Sequence, residues 1–278
     1  MSGSTATAAL RQAPRSKYLA LMFIGAQRTL AYPRTVLLSL LSNTVWLAVS
    51  YHLWSAVFDG TSQVGGLDWA RMRTYLVLAQ SANLLINASS SVHRMLQLIR
   101  TGDIAIELLR PYDVLTSQLA FSAGAALVEG TLGVLVAAGL GLTLLDVLPA
   151  ASASAAAFFA VSLLLGFLVR FMVSLITSLL CLWTKNWLGL HWMQAALMSI
   201  FSGALVPLDL YPSWLRSLSL ALPFQGIIHT PISIYLGELQ GSALLQALAL
   251  QAFWVLVLWG VARSLWNPGR RALDIQGG

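Results

Sequence analysis

Six apolar runs, each near the length that a helix needs to cross a lipid bilayer, set the fold of this chain. A span needs about 20 mostly apolar residues, and the runs cover roughly 35–58, 69–92, 114–145, 152–183, 187–206 and 242–266. Charged residues make up only 9% of the 278 residues, and hydrophobic residues make up 58%. A water-soluble fold so poor in charge could not cover its surface. The composition therefore excludes an ordinary soluble enzyme, a disordered chain and a free nucleic-acid-binding domain.

Two segments outside the runs complete the predicted architecture. Residues 16–32 are predicted to form an amphipathic helix in the cytoplasmic interface, which Pro33 ends. Residues 207–241 hold four prolines between apolar runs of about 10 residues, too short to span. The predicted fold class is an all-α integral membrane protein with six transmembrane helices in one domain, 1–278. It has an N-terminal interfacial helix and short re-entrant or extracellular helices before the last span.

The distribution of basic residues predicts the orientation. Cytoplasmic loops carry an excess of Lys and Arg. With the N-terminus inside, 12 of the 16 basic residues lie on the cytoplasmic side, three lie outside and Arg170 lies within a span. The 12 are Arg11, Arg15, Lys17, Arg28, Arg34, Arg94, Arg100, Arg110, Lys185, Arg263, Arg270 and Arg271. Both termini are therefore predicted to be cytoplasmic, although Arg71 and Arg73 sit at an outer helix end.

A polar face runs along the second span. Gln80, Asn83 and Asn87 follow helical spacing and share one side of the helix. Such a face either forms hydrogen bonds between helices or lines a substrate route. The three residues are the candidates for a substrate path.

Two charges lie deep in predicted spans. Glu129 is 15 residues past the inner start of the third span, and Arg170 is 13 residues before the inner end of the fourth. Because a lone charge in hydrocarbon is costly, we predict that the two form an intramembrane pair. The pair is either a structural contact or part of a conformational switch or substrate contact.

The residue patterns for soluble-type chemistry are absent from the sequence. There is no phosphate-binding loop, so any ATP-driven process needs an ATPase in another chain. The single cysteine and four scattered histidines form no metal-site pattern. Ser202-Gly203 and the later His229 have some character of an intramembrane serine hydrolase, but Ile200 stands where the GxSG motif has glycine. Small residues that let helices approach closely explain Ser202 and Gly203 better.

Two stretches carry a family resemblance. LIRTGDIAIELLRP at 98–111 resembles the cytoplasmic loop of ABC transporter permeases of the type-2 export family, most closely the viologen or daunorubicin exporter-like branch. Ser202-Gly203, 207–214, 222–224 and 231–237 resemble that family's second signature, and the closing Gly277-Gly278 is similar to this branch. The resemblance extends over essentially the whole chain.

This resemblance implies the permease subunit of an exporter, including multidrug efflux, in the bacterial cytoplasmic membrane. The chain would not be an enzyme itself, because ATP and Mg would be bound by a cytoplasmic ABC ATPase subunit. A second copy or a sister permease and membrane lipids would be its other partners, with no nucleic acid and no metal or other cofactor in this chain. The alternative is a non-transporter polytopic membrane protein, either a scaffold or an intramembrane hydrolase. Neither the substrate nor the choice between homodimer and heterodimer follows from the sequence.

By the same resemblance, residues 93–113 form a cytoplasmic coupling loop that docks on the ATPase. Its alternating charged and apolar residues also suit a partner surface, or else a lipid-facing interfacial helix. The coupling candidates are Ile99, Arg100, Thr101, Gly102, Asp103, Ile104, Glu107, Leu109, Arg110 and Pro111. The segment before the last span would form an outer gate, for which the candidates are Pro207, Pro212, Pro223 and Phe224.

Overall fold

Long helices fill the apolar runs in the computed structural model, which describes residues 14–86, 89–143, 145–184 and 187–276. The helices are α1 (Pro14–Ala31), α2 (Pro33–Val57), α3 (Trp69–Ile86), α4 (Ser89–Thr101), α5 (Ile104–Leu108), α6 (Val114–Thr143), α7 (Ala153–Leu180), α8 (Trp187–Phe201), α9 (Ser213–Ala221), α10 (His229–Tyr235) and α11 (Gly241–Gln276).

Within the described residues, four helices are long and apolar enough to cross a membrane. They contain Pro33–Val57, Val114–Val136, Ala153–Leu180 and Gly241–Gly269. The other two predicted spans give helices that fall short of this standard. Helix α3 begins with Arg71 and Arg73 close to its start, and the 15 residues of α8 extend about 22 Å against a hydrocarbon core of about 30 Å. The all-α membrane class is therefore confirmed, and the count of six spans stays a prediction.

Burial explains why α3 is less apolar than a lipid-facing helix. It packs against α2, α6 and α7, and most of its residues are buried, including Met72, Tyr75 and Ala79. A helix enclosed by protein can meet its polar groups with protein partners. The sequence threshold for a span assumes contact with lipid, so α3 does not reach it.

The N-terminal helix packs on α6 through two glycines. A Cβ added at Gly25 would overlap the carbonyl oxygen of Phe121, and one added at Gly124 would overlap that of Met22. The two backbones therefore approach as closely as small residues allow. Pro33 starts the next helix and has no backbone N–H to continue α1, so the chain turns between α1 and α2.

A short hairpin joins α2 to α3. Strands β1 (Gln63–Val64) and β2 (Leu67–Asp68) pair antiparallel. Gly65 and Gly66 both have positive φ angles, 58° and 83°, which a two-residue hairpin turn requires and glycine adopts readily. The carboxylate of Asp68 then accepts a hydrogen bond from the N–H of Arg71 at 2.8 Å, at the start of α3.

The ends of α7 and α11 follow different rules. Ser152 precedes α7, and its hydroxyl accepts a hydrogen bond from the N–H of Ala155 at 3.0 Å, which is a standard N-terminal cap. Helix α11 continues through Pro268 to Gln276, about ten residues beyond the predicted end of the last span. The polar tail is thus helical up to that residue.

Between α8 and α11 the chain forms the predicted short helices. Two 3₁₀ turns, Leu208–Leu210 and Pro223–Gly226, alternate with α9 and α10. Residues 225–234 are buried, and α10 packs on α7. Non-helical backbone at membrane depth is tolerated where protein encloses it, and this segment meets that condition.

Candidate functional site

The loop between α4 and α6 projects from the inner end of the bundle. Helix α4 ends at Thr101, Gly102 turns the chain with a φ of +80°, and α5 follows at once. The hydroxyl of Thr101 donates to the Asp103 carboxylate at 2.7 Å and fixes this turn. Leu109 is 86% exposed and Ile106 is 57% exposed, so the loop presents apolar side chains outside the protein.

Glu107 anchors the loop from inside. Its carboxylate is buried, with an exposed residue fraction of 4%, and it lies 2.6 Å from the guanidinium of Arg94 on α4. The hydroxyl of Tyr112 donates to Glu107 at 2.7 Å, and Arg110 donates to Tyr112 at 2.8 Å. Arg94 also stacks on the ring of Phe121, 4.6 Å from its centroid. One carboxylate thus links α4, α5 and the start of α6.

The pKa values of this network follow its burial. Desolvation lowers the pKa of Arg94, and the nearby Glu107 carboxylate offsets part of this change. Burial, together with the hydrogen bond to Glu107, raises the pKa of Tyr112. The hydrogen bond to Tyr112, followed by the charge of Glu107, raises the pKa of Arg110. At neutral pH these groups therefore keep the protonation states that the hydrogen bonds need.

Asp113 provides a second anchor, directly before α6. The guanidinium of Arg263 on α11 binds both carboxylate oxygens, at 2.7 and 3.1 Å, and the N–H of Thr116 donates to the same carboxylate at 2.8 Å. Burial raises the pKa of Asp113, but the hydrogen bonds from Thr116 and the charge of Arg263 outweigh it, and the net pKa lies below its usual value. The N–H of Asp113 also donates to the hydroxyl of Tyr18 at 3.4 Å.

The structure divides the ten coupling candidates by exposure. Ile104 and Glu107 are buried, and Ile99 packs partly buried against the inner core. Arg100 lies over the ring of Trp187, 5.1 Å from its centroid. The candidates that form the exposed surface are Arg100, Thr101, Gly102, Asp103, Leu109, Arg110 and Pro111. Sequence reasoning missed the anchoring roles of Tyr112, Asp113 and Arg263. The spacing of Asp113 and Thr116 before an apolar helix was a usable capping signal.

The polar face predicted on α3 lines a cavity. Gln80 and Asn83 border a space of about 420 Å³ between α2, α3, α6 and α8. The remaining candidate, Asn87, lies outside the described residues. Three polar residues of α2 that the sequence analysis did not single out, Ser39, Ser42 and Asn43, also line it. Asn43 donates to the backbone carbonyl of Gln80 at 3.2 Å and joins the two helices beside the cavity.

Glu129 and Arg170 face different surroundings. Glu129 borders this same cavity, whereas the guanidinium of Arg170 contacts the sulfur of Met198 on α8. Phe167 packs against Ala125 and Ala126. Since α6 and α7 run in opposite directions, Arg170 lies about 10 Å nearer the inner end than Glu129.

The depth count failed because α7 ends at Leu180 and not at residue 183. The two helices are also separated by α3 and α4, which pack on both. Among the described residues, the five ion pairs closer than 4.0 Å do not join Glu129 to Arg170. Their direct pairing is not a feature of this conformation and stays a prediction.

The outer-gate candidates lie in a closely packed segment. Pro207 and Pro223 are buried and Pro212 is exposed, while Phe224 stacks on Phe201 with ring centroids 6.1 Å apart. The amide of Gln251 on α11 donates to the carbonyl of Gly226 at 2.6 Å. A Cβ added at Gly166 on α7 would lie 2.7 Å from the same carbonyl oxygen. Helices α7 and α11 thus hold this segment by its backbone.

Ser202 and His229 meet through their backbones. The N–H of His229 donates to the carbonyl of Ser202 at 3.0 Å, and the hydroxyl of Ser202 accepts from the N–H of Ala204 at 3.2 Å. Within the described chain, the Nδ1 atom of His229 is buried without a hydrogen-bond partner. The contact serves the packing of the segment, and this geometry does not pair a serine with a base as hydrolysis requires.

Comparison with known families agrees with the loop, the bundle and the outer segment. The description "ABC-2 family transporter protein" matches residues 44–277, a range that includes all three. Comparison with curated proteins finds no match. The family match covers far more than half of the chain, and its residues form the helical bundle described above. The chain therefore belongs to the ABC-2 family of membrane transporter proteins.

Proposed function

We propose that this chain is the permease subunit of an ATP-binding-cassette exporter in the bacterial cytoplasmic membrane. ATP and Mg are bound by separate cytoplasmic ATPase subunits, and a second copy or a sister permease completes the pore. Family membership supports the transport role. The substrate passes beside the polar cavity that Gln80 and Asn83 line, and both termini are cytoplasmic.

The observation that carries the proposal is the exposed corner around Gly102. Ile106 and Leu109 are exposed apolar side chains, next to the charged Arg100, Asp103 and Arg110. Apolar side chains rimmed by charge favour contact with a protein partner. The buried Glu107 fixes this corner to α4 and α6, so a force on the corner reaches the membrane helices.

Six spans follow if α3 and α8 also cross the membrane. Helix α3 runs beside α2, with Asn43 and Gln80 joined at its inner half. At its outer end Arg73 lies 3.7 Å from Asp146, which answers one of the two charges that weaken it as a span. Helix α8 leads into the buried segment 202–235, whose backbone the protein covers. An even number of spans returns both termini to one side.

Purification in mild detergent, with identification of every co-purifying protein, tests this function. We expect a soluble ABC ATPase to accompany the wild-type chain and Leu109→Asp to lose it, because the new charge removes an apolar contact at the corner. Ser264→Asp is the matched control, since it adds the same charge at an exposed position near the inner end of α11. Equal retention of the ATPase by both variants would show that the corner is not the docking surface.

A further inference from the structure

A second, smaller recess lies where α1 meets α2. It has a volume of about 160 Å³ and lies beneath the turn at Pro33. Helix α1 contributes Arg28, Thr29 and Tyr32, α2 contributes Thr35, Val36 and Ser39, and α6 contributes Glu129. The recess shares Ser39 and Glu129 with the larger cavity, and the proposed transport route does not require it.

The recess has one positive and one negative wall. Arg28 lies on the α1 side, where its guanidinium carbon is 5.8 Å from the centroid of the Phe121 ring. Glu129 lies on the α6 side. Among the described residues, the ion pairs closer than 4.0 Å do not join these two groups. Opposite charges around one small space are suited to a ligand that itself carries both charges.

The length of α2 places this recess at headgroup depth. Its 25 residues extend about 36 Å, little more than the roughly 30 Å of hydrocarbon that a span must cross. The first turn of α2 therefore lies at one boundary of the bilayer, and Thr35 and Val36 of that turn line the recess. Just beyond it, Leu37, Leu38 and Leu41 are exposed and offer an apolar surface to acyl chains.

We propose that the recess binds the headgroup of a zwitterionic phospholipid of the ethanolamine type. Arg28 faces the phosphate, and a guanidinium is well suited to this group. Glu129 faces the ammonium, whose three N–H donors suit a carboxylate. The lipid is drawn from the cytoplasmic leaflet, an assignment of side that rests on the proposed orientation. An anionic headgroup without an amine would leave the carboxylate unanswered and binds less well.

Thermal unfolding of the full chain in mixed micelles tests the proposal. The detergent carries phosphatidylethanolamine, phosphatidylcholine or phosphatidylglycerol with identical acyl chains. We expect the ethanolamine lipid to raise the unfolding temperature most and the glycerol lipid least. Arg28→Gln should remove at least half of this rise. Arg34→Gln, at an exposed position on the same turn that does not line the recess, should leave it intact.

Glu129→Gln supplies a result that misfolding cannot imitate. It leaves Arg28 as the charge on the recess, so the lipid preference should shift toward phosphatidylglycerol. Equal effects of the three lipids, an unchanged preference in Glu129→Gln, or an equal loss in Arg34→Gln would overturn the proposal. Soluble O-phosphoethanolamine is the source control. If it stabilises the protein as much as the lipid does, the ligand is a free phosphorylated amine and the lipid assignment is wrong.

Discussion

Glu107 shows how a single side chain can hold a docking surface in place. It is buried among exposed residues, and it accepts hydrogen bonds from Arg94 at 2.6 Å and from Tyr112 at 2.7 Å. A buried charge costs free energy when its partner is removed, because the remaining charge stays desolvated. The stability of the loop therefore depends on this carboxylate more than on the exposed residues that meet the partner.

Glu107→Ala should lower the free energy of unfolding by about 3 kcal/mol, since it leaves Arg94 buried and unpaired. Arg110→Met should change it by less than about 1 kcal/mol, because that side chain is half exposed. Chemical unfolding in detergent measures both changes. If Glu107→Ala combined with Arg94→Met is no more stable than Glu107→Ala alone, the stranded charge is not the cause.

The clasp between Asp113 and Arg263 should give the protein an acid-sensitive contribution to stability. The folded pKa of Asp113 lies below its usual value. The contribution is therefore complete above the pKa of the unfolded chain, about 4, and is lost as the pH falls through the folded value. Unfolding temperatures of wild type and Asp113→Asn should converge as the pH is lowered from 7 to 3. Asp59→Asn, in the exposed outer loop, should show no such convergence.

At the scale of helices and loops, the turn at Gly102 is the feature that transport should need most. Its φ of +80° cannot be reached by proline, whose φ is near −65°. Gly102→Pro should abolish stimulation of the partner ATPase and transport, while membrane insertion continues. Asp103→Arg should act in the same direction by losing the bond to Thr101 and reversing the local charge.

Gly60→Pro is the control for this prediction. Gly60 also has a positive φ, +79°, and a Cβ there would meet no atom within 4 Å, but it lies in the loop on the opposite side of the bundle. It should break its own turn and leave ATPase stimulation unchanged. Normal stimulation in Gly102→Pro would mean that the loop does not couple the two subunits.

The contact between α1 and α6 depends on Gly124, which lies against the backbone of Met22. Gly124→Ala should separate the two helices and lower the unfolding temperature. Gly260→Ala should be neutral or stabilising, because a Cβ there meets open space and alanine favours a helix by about 1 kcal/mol over glycine. Differential scanning fluorimetry in detergent compares them. A neutral Gly124→Ala would show that α1 is not packed as described.

The sequence predicted α2, α6, α7 and α11 because each is an apolar run that lipid or core must cover. It also predicted the polar face of α3, since helical spacing alone places Gln80 and Asn83 on one side. The anchoring roles of Glu107 and Arg263 could not be predicted in this way. Their partners are distant in sequence, as the 150 positions between Asp113 and Arg263 show. The depth of Arg170 was misjudged because the end of a helix is read poorly from composition.

For the whole molecule, the main prediction is that both termini lie in the cytoplasm. It rests on the 12 basic residues assigned to the cytoplasmic side. Ile275→Cys, together with Cys181→Ser to remove the native thiol, should stay unlabelled when intact cells meet an impermeant thiol reagent, and should react after the membrane is permeabilised. Thr61→Cys, in the exposed outer loop, should react in both conditions. Labelling of Ile275→Cys in intact cells would reverse the orientation.

The close contact between Met22 and Gly124 has a consequence for how the protein is made. The helix that leaves the ribosome first packs against one that follows it by about 100 residues, which takes roughly 5–20 s to synthesise. Until then α1 has no partner for its glycine face. During this interval the nascent chain must be held by the membrane surface or by a chaperone, and assembly of the bundle can finish only after α6 has been inserted.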